Sequence, residues 1–526
     1  MEAFLQPLQG LAEFEEIKKR CGANRGILNV SGCMESQKVH LMYGLSGLFP
    51  CHLILADDER NAKEIYEDYR FYDKNVYFYP AKDLLFFQAD IHGNLLIRQR
   101  MRVIRALLEQ EEVTVVTSID GCMDFLMPLE KIRSRLLHFK SDSVIDLDQL
   151  KEELVELGYE RTGQVELPGQ FSVRGGIIDI YPLTEDNPWR IELWDDEVDS
   201  IRSFDAESQR SLENVDEITI YPAAEKMDGE DMVSFLDYFP EEKTLVFLDE
   251  LNHLAENGEG VEEEYRQSRM HREEKGEANL PEQWLCGFQE LQKKLNRRNC
   301  VAVSALSPRR SGWKINEEFD LTVKSVDSYN SSFELLVKDL LQYKSQGYRI
   351  ALLSGSRTRA ERLAKDLSEE GLNAFYSQDM DRIISPGEIM VVYGHARRGF
   401  QYPLIKFAVM TETDIFGKEQ KKRKKKKKYS GNRIQDFAEL SIGDLVVHEK
   451  HGLGIYRGIE KVEVDRVVKD YIKIEYRGGS NLYILATQLV KRYLYLTQKS
   501  GFVNTKSRKN VHKYSFSFYT YITYLF

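Results

Sequence analysis

Cysteine is scarce in this sequence, with six residues in 526, and no two of them have C-x-x-C spacing. Scattered cysteines exclude a zinc framework of the usual spacing, and they favour reduced thiols over a disulfide framework. The six are Cys21, Cys33, Cys51, Cys122, Cys286 and Cys300.

Long apolar runs are also missing. We find no stretch of the ~20 apolar residues that a membrane-spanning helix needs, and the N-terminus does not resemble a signal peptide. Hydrophobic residues make up 42% of the chain and charged residues 30%, with a mean hydropathy of −0.46. These values are typical of soluble globular proteins. We therefore expect a cytoplasmic protein without a membrane partner, long enough for three or four domains.

Positive charge is concentrated in one place. The net charge is −12, but the run Lys421–Lys428 (KKRKKKKK) carries eight positive charges, so the rest of the chain carries −20. An acidic body is a poor general surface for nucleic acid, because phosphate binding depends on clustered cations. We interpret the run as a solvated linker between domains. A weak contact with DNA and a localisation signal are the alternatives.

An intact phosphate-binding loop is missing as well. The apolar run ILNV leads into SGCMESQKVH, where Gly32 and Lys38 match G-x-x-x-x-G-K-[ST]. Gln37 replaces the second glycine, and Val39 replaces the hydroxyl that would hold Mg²⁺. The acids Asp249 and Glu250 follow another apolar run, TLVFLDE, as metal-handling acids do in such ATPases. We interpret the loop as a degenerate nucleotide site that does not hydrolyse ATP.

No other catalytic or metal-binding pattern is convincing. His448 and His451 are three residues apart in a strand-rich segment, whereas H-E-x-x-H needs a spacing of four on a helix. The glycines of HGLGIYRG are not followed by a βαβ unit, so they favour tight turns over dinucleotide binding. The sequence therefore predicts no catalytic residue, no metal ligand and no cofactor.

Hydrophobic periodicity predicts alternating strands and helices over the first ~120 residues. The apolar runs ILNV, HLILAD, VYFYP and VTVVTS suit a buried parallel sheet, and amphipathic helices lie between them. The polar segment 255–285 predicts a long exposed helix or a mobile excursion. A second α/β unit is predicted at 333–416, and 436–494 is purely β, with strands around an RGGS turn.

The most informative segment is residues 165–205, whose alternation predicts strands. In IELW, Ile191 and Leu193 share one face, while Arg190, Glu192 and Trp194 share the other. Arginine and tryptophan are enriched at protein–protein hot spots. The glycines around Arg174 would let the backbone turn or approach another chain closely; they are Gly169, Gly175 and Gly176. An ordinary hairpin with a half-exposed tryptophan is the alternative.

The segments GQFSVRGGIIDIYP and RIELWDDEVDSIRSFD resemble the UvrA-binding module shared by the nucleotide-excision-repair protein UvrB and transcription-repair coupling factors (Mfd). In that family the module binds UvrA through positions that correspond to Arg174, Arg190 and Trp194. The resemblance implies a recruiting surface, not a catalytic one. It also implies a UvrB-like first region that has lost its ATP site.

A second resemblance lies in LSIGDLVVHEKHGLGIYRGIEKVEVD and VKDYIKIEYRGGSNLYILATQL. They are similar to the RNA-polymerase-interacting domain that transcription-repair coupling factors share with CarD-type regulators. Such domains place a strand edge against the polymerase β subunit. The matching edge is about 459–464, with Ile459, Lys461 and Val462 as the expected contacts. A capping strand of a self-contained barrel is the alternative.

We therefore expect a multidomain α/β protein with a small all-β SH3- or Tudor-like barrel. The predicted parts are a UvrB-like degenerate P-loop domain in two pieces (1–124 and 216–332), the inserted UvrA-binding module (125–215), an α/β linking domain (333–417), a Lys-rich linker (418–435), the CarD-like domain (436–496) and an atypical tail (497–526).

The resemblance implies a bacterial adaptor for transcription-coupled nucleotide-excision repair, with UvrA and the RNA polymerase β subunit as partners. The family's ATP-dependent translocase lobes would bring an intact nucleotide motif and an Asp-Glu box, and neither occurs before Phe526. We therefore expect the front part of that architecture, without an enzymatic activity of its own. A UvrB-like ATPase and a CarD-like transcription regulator are the alternatives.

Overall fold

The computed structural model describes residues 1–23, 25–82, 93–224, 232–274, 285–308 and 312–417, and five strands between 445 and 496. The chain divides into two compact units, one comprising Met1–Leu85 and His92–Gln420, the other Phe86–Ile91 and Lys421–Phe526. The predicted linker at 418–435, with its lysine run, and the predicted tail at 497–526 lie outside the described residues.

The first α/β domain begins at the N-terminus. Its first part contains α1 (Glu2–Leu8), α2 (Ala12–Arg20), β1 (Gly26–Ser31), α3 (Glu35–Ser46), β2 (Cys51–Ala56), α4 (Glu59–Tyr72), β3 (Val76–Tyr79), α5 (Gly93–Glu109), β4 (Val113–Ser118), α6 (Ile119–Cys122), β5 (Phe125–Leu126) and α7 (Leu129–Ser134).

An inserted module follows. It contains β6 (Leu137–Lys140), α8 (Leu147–Glu156), β7 (Glu160–Arg161), β8 (Gln170–Arg174), β9 (Ile177–Ile180), β10 (Trp189–Trp194), β11 (Glu197–Phe204), β12 (Ser211–Val215) and β13 (Glu217–Ile220).

The chain then returns to the first domain. This part contains β14 (Val233–Ser234), a 3-10 helix (Phe235–Tyr238), β15 (Thr244–Asp249), α9 (Leu251–Glu274), α10 (Phe288–Leu295), β16 (Asn299–Val303) and β17 (Ile315–Asp320). The polar segment predicted at 255–285 as a helix or an excursion is helical as far as Glu274, and 275–284 lie outside the described residues.

The main sheet of the first domain is parallel, with the strand order β17-β1-β16-β15-β2-β4-β3. Its inner strands are buried on both faces: in β1, Leu28 and Val30 pack into one core, whereas Ile27 packs into the other. Burial on both sides explains why these strands are continuous apolar runs. The predicted strands and the predicted α/β layering are confirmed.

The module has its own six-stranded sheet, with the order β12-β11-β10-β9-β8-β7. A two-stranded ribbon of β6 and β13 brings the two ends of the insertion together. Helix α8 begins at Asp146, whose carboxylate accepts hydrogen bonds from two main-chain N–H groups of the first turn. Leu150 and Leu154 of α8 pack against Ile178 and Ile191, so α8 covers the inner face of the sheet.

A second α/β domain contains β18 (Lys324–Ser325), α11 (Phe333–Ser345), β19 (Arg349–Ser354), α12 (Arg357–Glu369), β20 (Asn373–Tyr376), β21 (Glu388–Tyr393), β22 (Phe400–Tyr402), a 3-10 helix (Pro403–Ile405), β23 (Phe407–Thr411) and α13 (Glu412–Phe416). The sheet order is β18-β22-β23-β19-β21-β20. One face of this sheet joins the core of the first domain through Leu353, Val392 and Val409.

The second unit is described as β24 (Leu445–His448), β25 (Gly452–Val464), β26 (Val467–Glu475), β27 (Asn481–Leu485) and β28 (Leu494–Leu496). These strands form an antiparallel sheet with the order β27-β26-β25-β24-β28. Tyr456 and Ile474 are buried in it. Across all the described residues, no helix is both long and apolar enough to cross a bilayer.

Candidate functional site

The outer face of the module sheet carries the three residues predicted to bind UvrA. Asp179 is paired with both Ser172 and Arg190 in one row across β8, β9 and β10. Arg174, Ile177 and Glu192 form the next row. Residues directly opposite one another in a sheet project to the same face. We call this surface the docking face: Ser172, Arg174, Ile177, Asp179, Arg190, Glu192, Trp194, Ser200 and Arg202.

A buried carboxylate organises the two arginines of the docking face. Asp179 is fully buried, and its Oδ2 accepts hydrogen bonds from Arg174 Nη2 at 2.7 Å and from Arg190 Nη2 at 2.8 Å. Its Oδ1 accepts from Arg190 Nε at 2.6 Å. The bidentate pair with Arg190 fixes the plane of that guanidinium, and the hydrogen bonds that Arg190 donates to Asp179 raise the pKa of Arg190.

Arg190 has two further neighbours. Its guanidinium lies over the Phe204 ring, 4.3 Å from the centroid, and its Nη2 donates to Gln209 Oε1 at 3.1 Å. Only 14% of the Arg190 side chain is exposed, against 46% of the Arg174 side chain. Arg190 is therefore a fixed element of the surface, and Arg174 is the more accessible of the two cations.

Strand alternation along β10 places Trp194 on the docking face, and the opposite strand β11 contains an irregularity near it. Glu192 pairs with Ser200, but Leu193 pairs with Val198, so Asp199 has no opposite residue. A bulge of this kind redirects the residues beyond it. Val198 turns into the module core, whereas Trp194 is 81% exposed.

The alternation predicted from IELW is confirmed. Ile191 is fully buried and Leu193 packs against the module core, while Arg190, Glu192 and Trp194 lie on the other face. Glu192 accepts hydrogen bonds from Arg202, which lower the pKa of the Glu192 carboxyl.

Glycines form the turn between β8 and β9. Arg174 pairs with Ile177, and Gly175 between them has φ +61°, in the left-handed region that favours glycine. Gly176 accepts a hydrogen bond from Leu193 N–H at 2.8 Å. A Cβ on Gly176 would lie 3.0 Å from the Leu193 carbonyl oxygen, so the close approach predicted for this segment is made within the module itself.

Sequence reasoning missed Asp179 and Gln209. Asp179 interrupts the apolar run IIDI, which is the signal that could have identified it, because an acid inside a buried strand needs a cationic partner. Gln209 has no comparable signal: it follows β11 in a loop, with φ +59°.

The segment predicted to be a degenerate nucleotide loop runs from the end of β1 into the first turn of α3. Gly32 has φ +76°, and a Cβ there would lie 2.1 Å from the Leu321 carbonyl oxygen, so only glycine fits. Gln37, in place of the second glycine, is fully buried; its Nε2 donates to Tyr402 Oη at 3.0 Å and its Oε1 accepts from Met34 N–H. Val39 is fully buried in the core.

Lys38 is held by the two acids that follow β15. Its Nζ lies 2.7 Å from Asp249 Oδ1 and 2.6 Å from Glu250 Oε1. Asn61 Nδ2 donates to the other Asp249 oxygen at 2.7 Å. Burial alone would lower the pKa of Lys38, but the two carboxylates raise it. The ammonium that would bind phosphate in an intact loop is therefore satisfied inside the protein.

A cleft of about 550 Å³ lies between α5 and the β6–β13 ribbon, away from both predicted sites. Its charged lining is largely paired internally: Arg105 bonds to Glu185 and Glu109, and Lys140 lies 2.9 Å from Glu217. The Arg105–Glu185 pair joins α5 to the module, and the cleft adds no candidate chemistry.

The edge predicted to contact polymerase lies in β25. Strand β26 pairs with β25 from Ile455 to Val464, whereas β24 pairs only with Gly452–Ile455. Among the strands that the structure describes, none pairs with the other side of 459–464. Ile459, Lys461 and Val462 lie in this segment. Glu449 and His451 lie outside the described residues.

Lys38 gives a test of the internal ion pair. We expect Lys38→Met to lower the free energy of unfolding by about 3 kcal/mol or more, because it leaves Asp249 buried without its cation. Chemical denaturation followed by circular dichroism measures this, with Lys63→Met on the exposed side of α4 as the matched control. Adding Asp249→Asn to Lys38→Met should recover part of the loss. Equal stability of the Lys38 and Lys63 variants would contradict the assignment.

Two family models match the chain. The UvrB interaction domain matches residues 137–225, from the first strand of the β6–β13 ribbon to just beyond the second, and contains the whole docking face. The CarD-like/TRCF RID domain matches residues 440–494, which contain β25.

Curated relatives extend this likeness along most of the chain. The transcription-repair-coupling factor of Bacillus subtilis is 29% identical over 88% of this chain and 46% of its own length. Those of Staphylococcus aureus and Staphylococcus epidermidis are 26% and 28% identical, each over 82% of this chain and 42% of their own length. The chain thus spans less than half the length of these relatives. It carries a UvrB interaction domain followed by a CarD-like/TRCF RID domain, and it is similar to transcription-repair-coupling factors over 82–88% of its residues.

Proposed function

We propose that this chain is a protein-binding adaptor in transcription-coupled nucleotide-excision repair, which recruits UvrA through the docking face and holds the RNA polymerase β subunit through β25. One observation carries the UvrA half. Within the region matched by the UvrB interaction domain, an exposed tryptophan shares one sheet face with two arginines that are fixed by one buried carboxylate. This face therefore exposes a large apolar side chain together with oriented cations, as a protein–protein hot spot does.

The polymerase half of the proposal is supported by the strand edge of β25. Val464 pairs with Val467, so two residues separate the paired ends of β25 and β26. In a hairpin with a two-residue loop, the two residues that flank the loop form a hydrogen-bonded pair. Such pairs alternate along an antiparallel ladder. By this count Glu460 and Val462 bond to β26, while Ile459 and Lys461 direct main-chain N–H and C=O groups to the open side. An added strand from the polymerase would pair with them.

The first domain serves in this proposal as a scaffold of degenerate P-loop type, and the second unit as a small barrel of SH3 or Tudor type. The paired Lys38 and the buried Val39 support the scaffold role, because neither a free ammonium nor a hydroxyl faces a nucleotide. We assign no catalytic residue to the chain.

The UvrA half is tested with the double variant Arg190→Ala/Trp194→Ala. We expect its affinity for purified UvrA to fall about thirtyfold or more, because truncating a hot-spot residue costs about 2 kcal/mol or more. Isothermal titration calorimetry measures the dissociation constant. The control is Arg133→Ala/Val155→Ala, which removes an exposed arginine on α7 and an exposed valine on α8. Unchanged binding by the docking-face variant would refute UvrA recruitment and leave the CarD-like regulator as the better hypothesis.

Asp179 is tested as a positioning residue. Asp179→Asn keeps the shape of the side chain but removes the charge shared by Arg174 and Arg190, and we expect affinity for UvrA to fall about tenfold. If Asp179 acts through Arg190, combining Asp179→Asn with Arg190→Ala should cost less than the sum of the single effects. Strictly additive effects on the free energy of binding would show that the buried carboxylate does not act through this arginine.

The polymerase half is tested by comparing Lys461→Pro with Lys461→Ala. Proline removes the outward N–H that an added strand would use, and at a free edge it leaves the pairing with β26 intact. We expect Lys461→Pro to weaken binding to the polymerase β subunit about tenfold. Lys461→Ala, which keeps the main chain, separates the side-chain contribution. Equal binding by both variants and the unaltered chain would contradict strand addition at this edge.

A further inference from the structure

Near the tip of the β10–β11 hairpin, a second exposed apolar side chain lies in the same cross-strand row as Trp194. Trp194 pairs with Glu197, and Glu197 is bridged on its other side by Val144, from the segment that precedes α8. Because opposite residues in antiparallel pairs share a face, these three residues form one row across the sheet. Val144 is 71% exposed and Trp194 is 81% exposed.

Val144 is held in this position by its neighbours in the chain. Ile145 N–H donates to the Asp196 carbonyl at 2.8 Å, and Val198 N–H donates to the Ser143 carbonyl at 2.9 Å. The Ile145 side chain is buried in the module core. Since consecutive side chains of an extended segment point to opposite sides, burying Ile145 forces Val144 outward. The exposure of Val144 is therefore built into the fold and is not a consequence of a loose loop.

Carboxylates surround this apolar pair. Five acidic residues of the segments 141–145 and 194–199 are exposed, and neither segment contains a lysine or an arginine. The five are Asp142, Asp195, Asp196, Glu197 and Asp199. We call Val144, Trp194 and these five acids the acidic tip. Arg174 and Arg190, by contrast, make the neighbouring part of the docking face cationic.

We infer that the acidic tip is the second half of the docking surface and that it receives a basic patch of UvrA, in which lysine or arginine side chains flank an apolar slot. The inference rests on the proposed function and specifies the chemistry of the partner. Opposite charges on the two sides of an interface fix the register of the two partners and raise their association rate. A cation over the exposed Trp194 ring adds a favourable cation–π contact in the same place. The arginines and the acidic tip together give the docking surface a cationic and an anionic end, which allows only one orientation of the partner.

The apolar part is tested with the full chain and purified UvrA. We expect Val144→Ser to weaken binding about fivefold or more, because it truncates an apolar contact next to the central tryptophan. Val155→Ser is the matched control, since Val155 is an exposed valine on α8, which covers the opposite face of the module sheet. Val144→Thr keeps the branched shape and gives a second measurement if the serine variant lowers the melting temperature.

The acidic part is tested by the triple variant Asp195→Asn/Asp196→Asn/Glu197→Gln. We expect weaker binding at low salt and a smaller dependence of the dissociation constant on salt concentration, because fewer charge pairs are screened. Asp148→Asn/Glu152→Gln/Glu156→Gln neutralises three exposed acids on α8 and controls for net charge.

The outcomes distinguish this inference from the proposed function. Loss of binding in both Val144 variants and in the acid variant, with both α8 controls unaffected, supports it. If Arg190→Ala/Trp194→Ala abolishes binding while the Val144 and acid variants bind normally, the inference is overturned and the proposed function stands. If the unaltered chain does not bind UvrA, the proposed function fails first. Tighter binding by the acid variant would show that the tip faces acids, not a basic patch.

Discussion

The docking face depends on one fully buried carboxylate. A charge this deep in a protein is costly unless it is paired and hydrogen-bonded, and Asp179 is satisfied by three N–H donors from two arginines. The same bonds fix both guanidinium groups on the surface before any partner arrives. Preorganised side chains lose less entropy on binding than free ones, so under the proposed function the buried acid would contribute to recognition without touching the partner.

The polar groups of the segment predicted as a degenerate nucleotide loop are also satisfied internally. Gln37 bonds to Tyr402 of the second α/β domain, Lys38 is neutralised by Asp249 and Glu250, and Ser36 Oγ accepts from Arg398 N–H. These contacts join α3 to β15 and to the second domain. The apolar core shared by the two domains includes residues of the same helix.

The sequence predicted the α/β layering well, because strands buried on both sides leave continuous apolar runs such as ILNV and VTVVTS. It also predicted which side chains of IELW face outward, since alternation is a local property of a strand. It did not predict the partners of those side chains. Asp179 and Gln209 meet Arg190 only through the strand order and a later loop, and Val144 lies 50 residues before Trp194. The bulge at Asp199, which turns Val198 inward, left no recognisable signal in the sequence.

The two proposed surfaces differ in how they would recognise a partner. The docking face and the acidic tip use side chains of fixed charge and orientation, so their selectivity resides in residue identity and is sensitive to salt. The β25 edge uses main-chain groups, which every sequence possesses, so its affinity depends on keeping the edge unpaired and extended. An exposed edge carries a risk of unwanted strand pairing, and charged residues at an edge reduce that risk. The sequence of this segment contains Glu460, Lys461 and Glu463, charged residues of the kind that would limit unwanted pairing at the proposed edge.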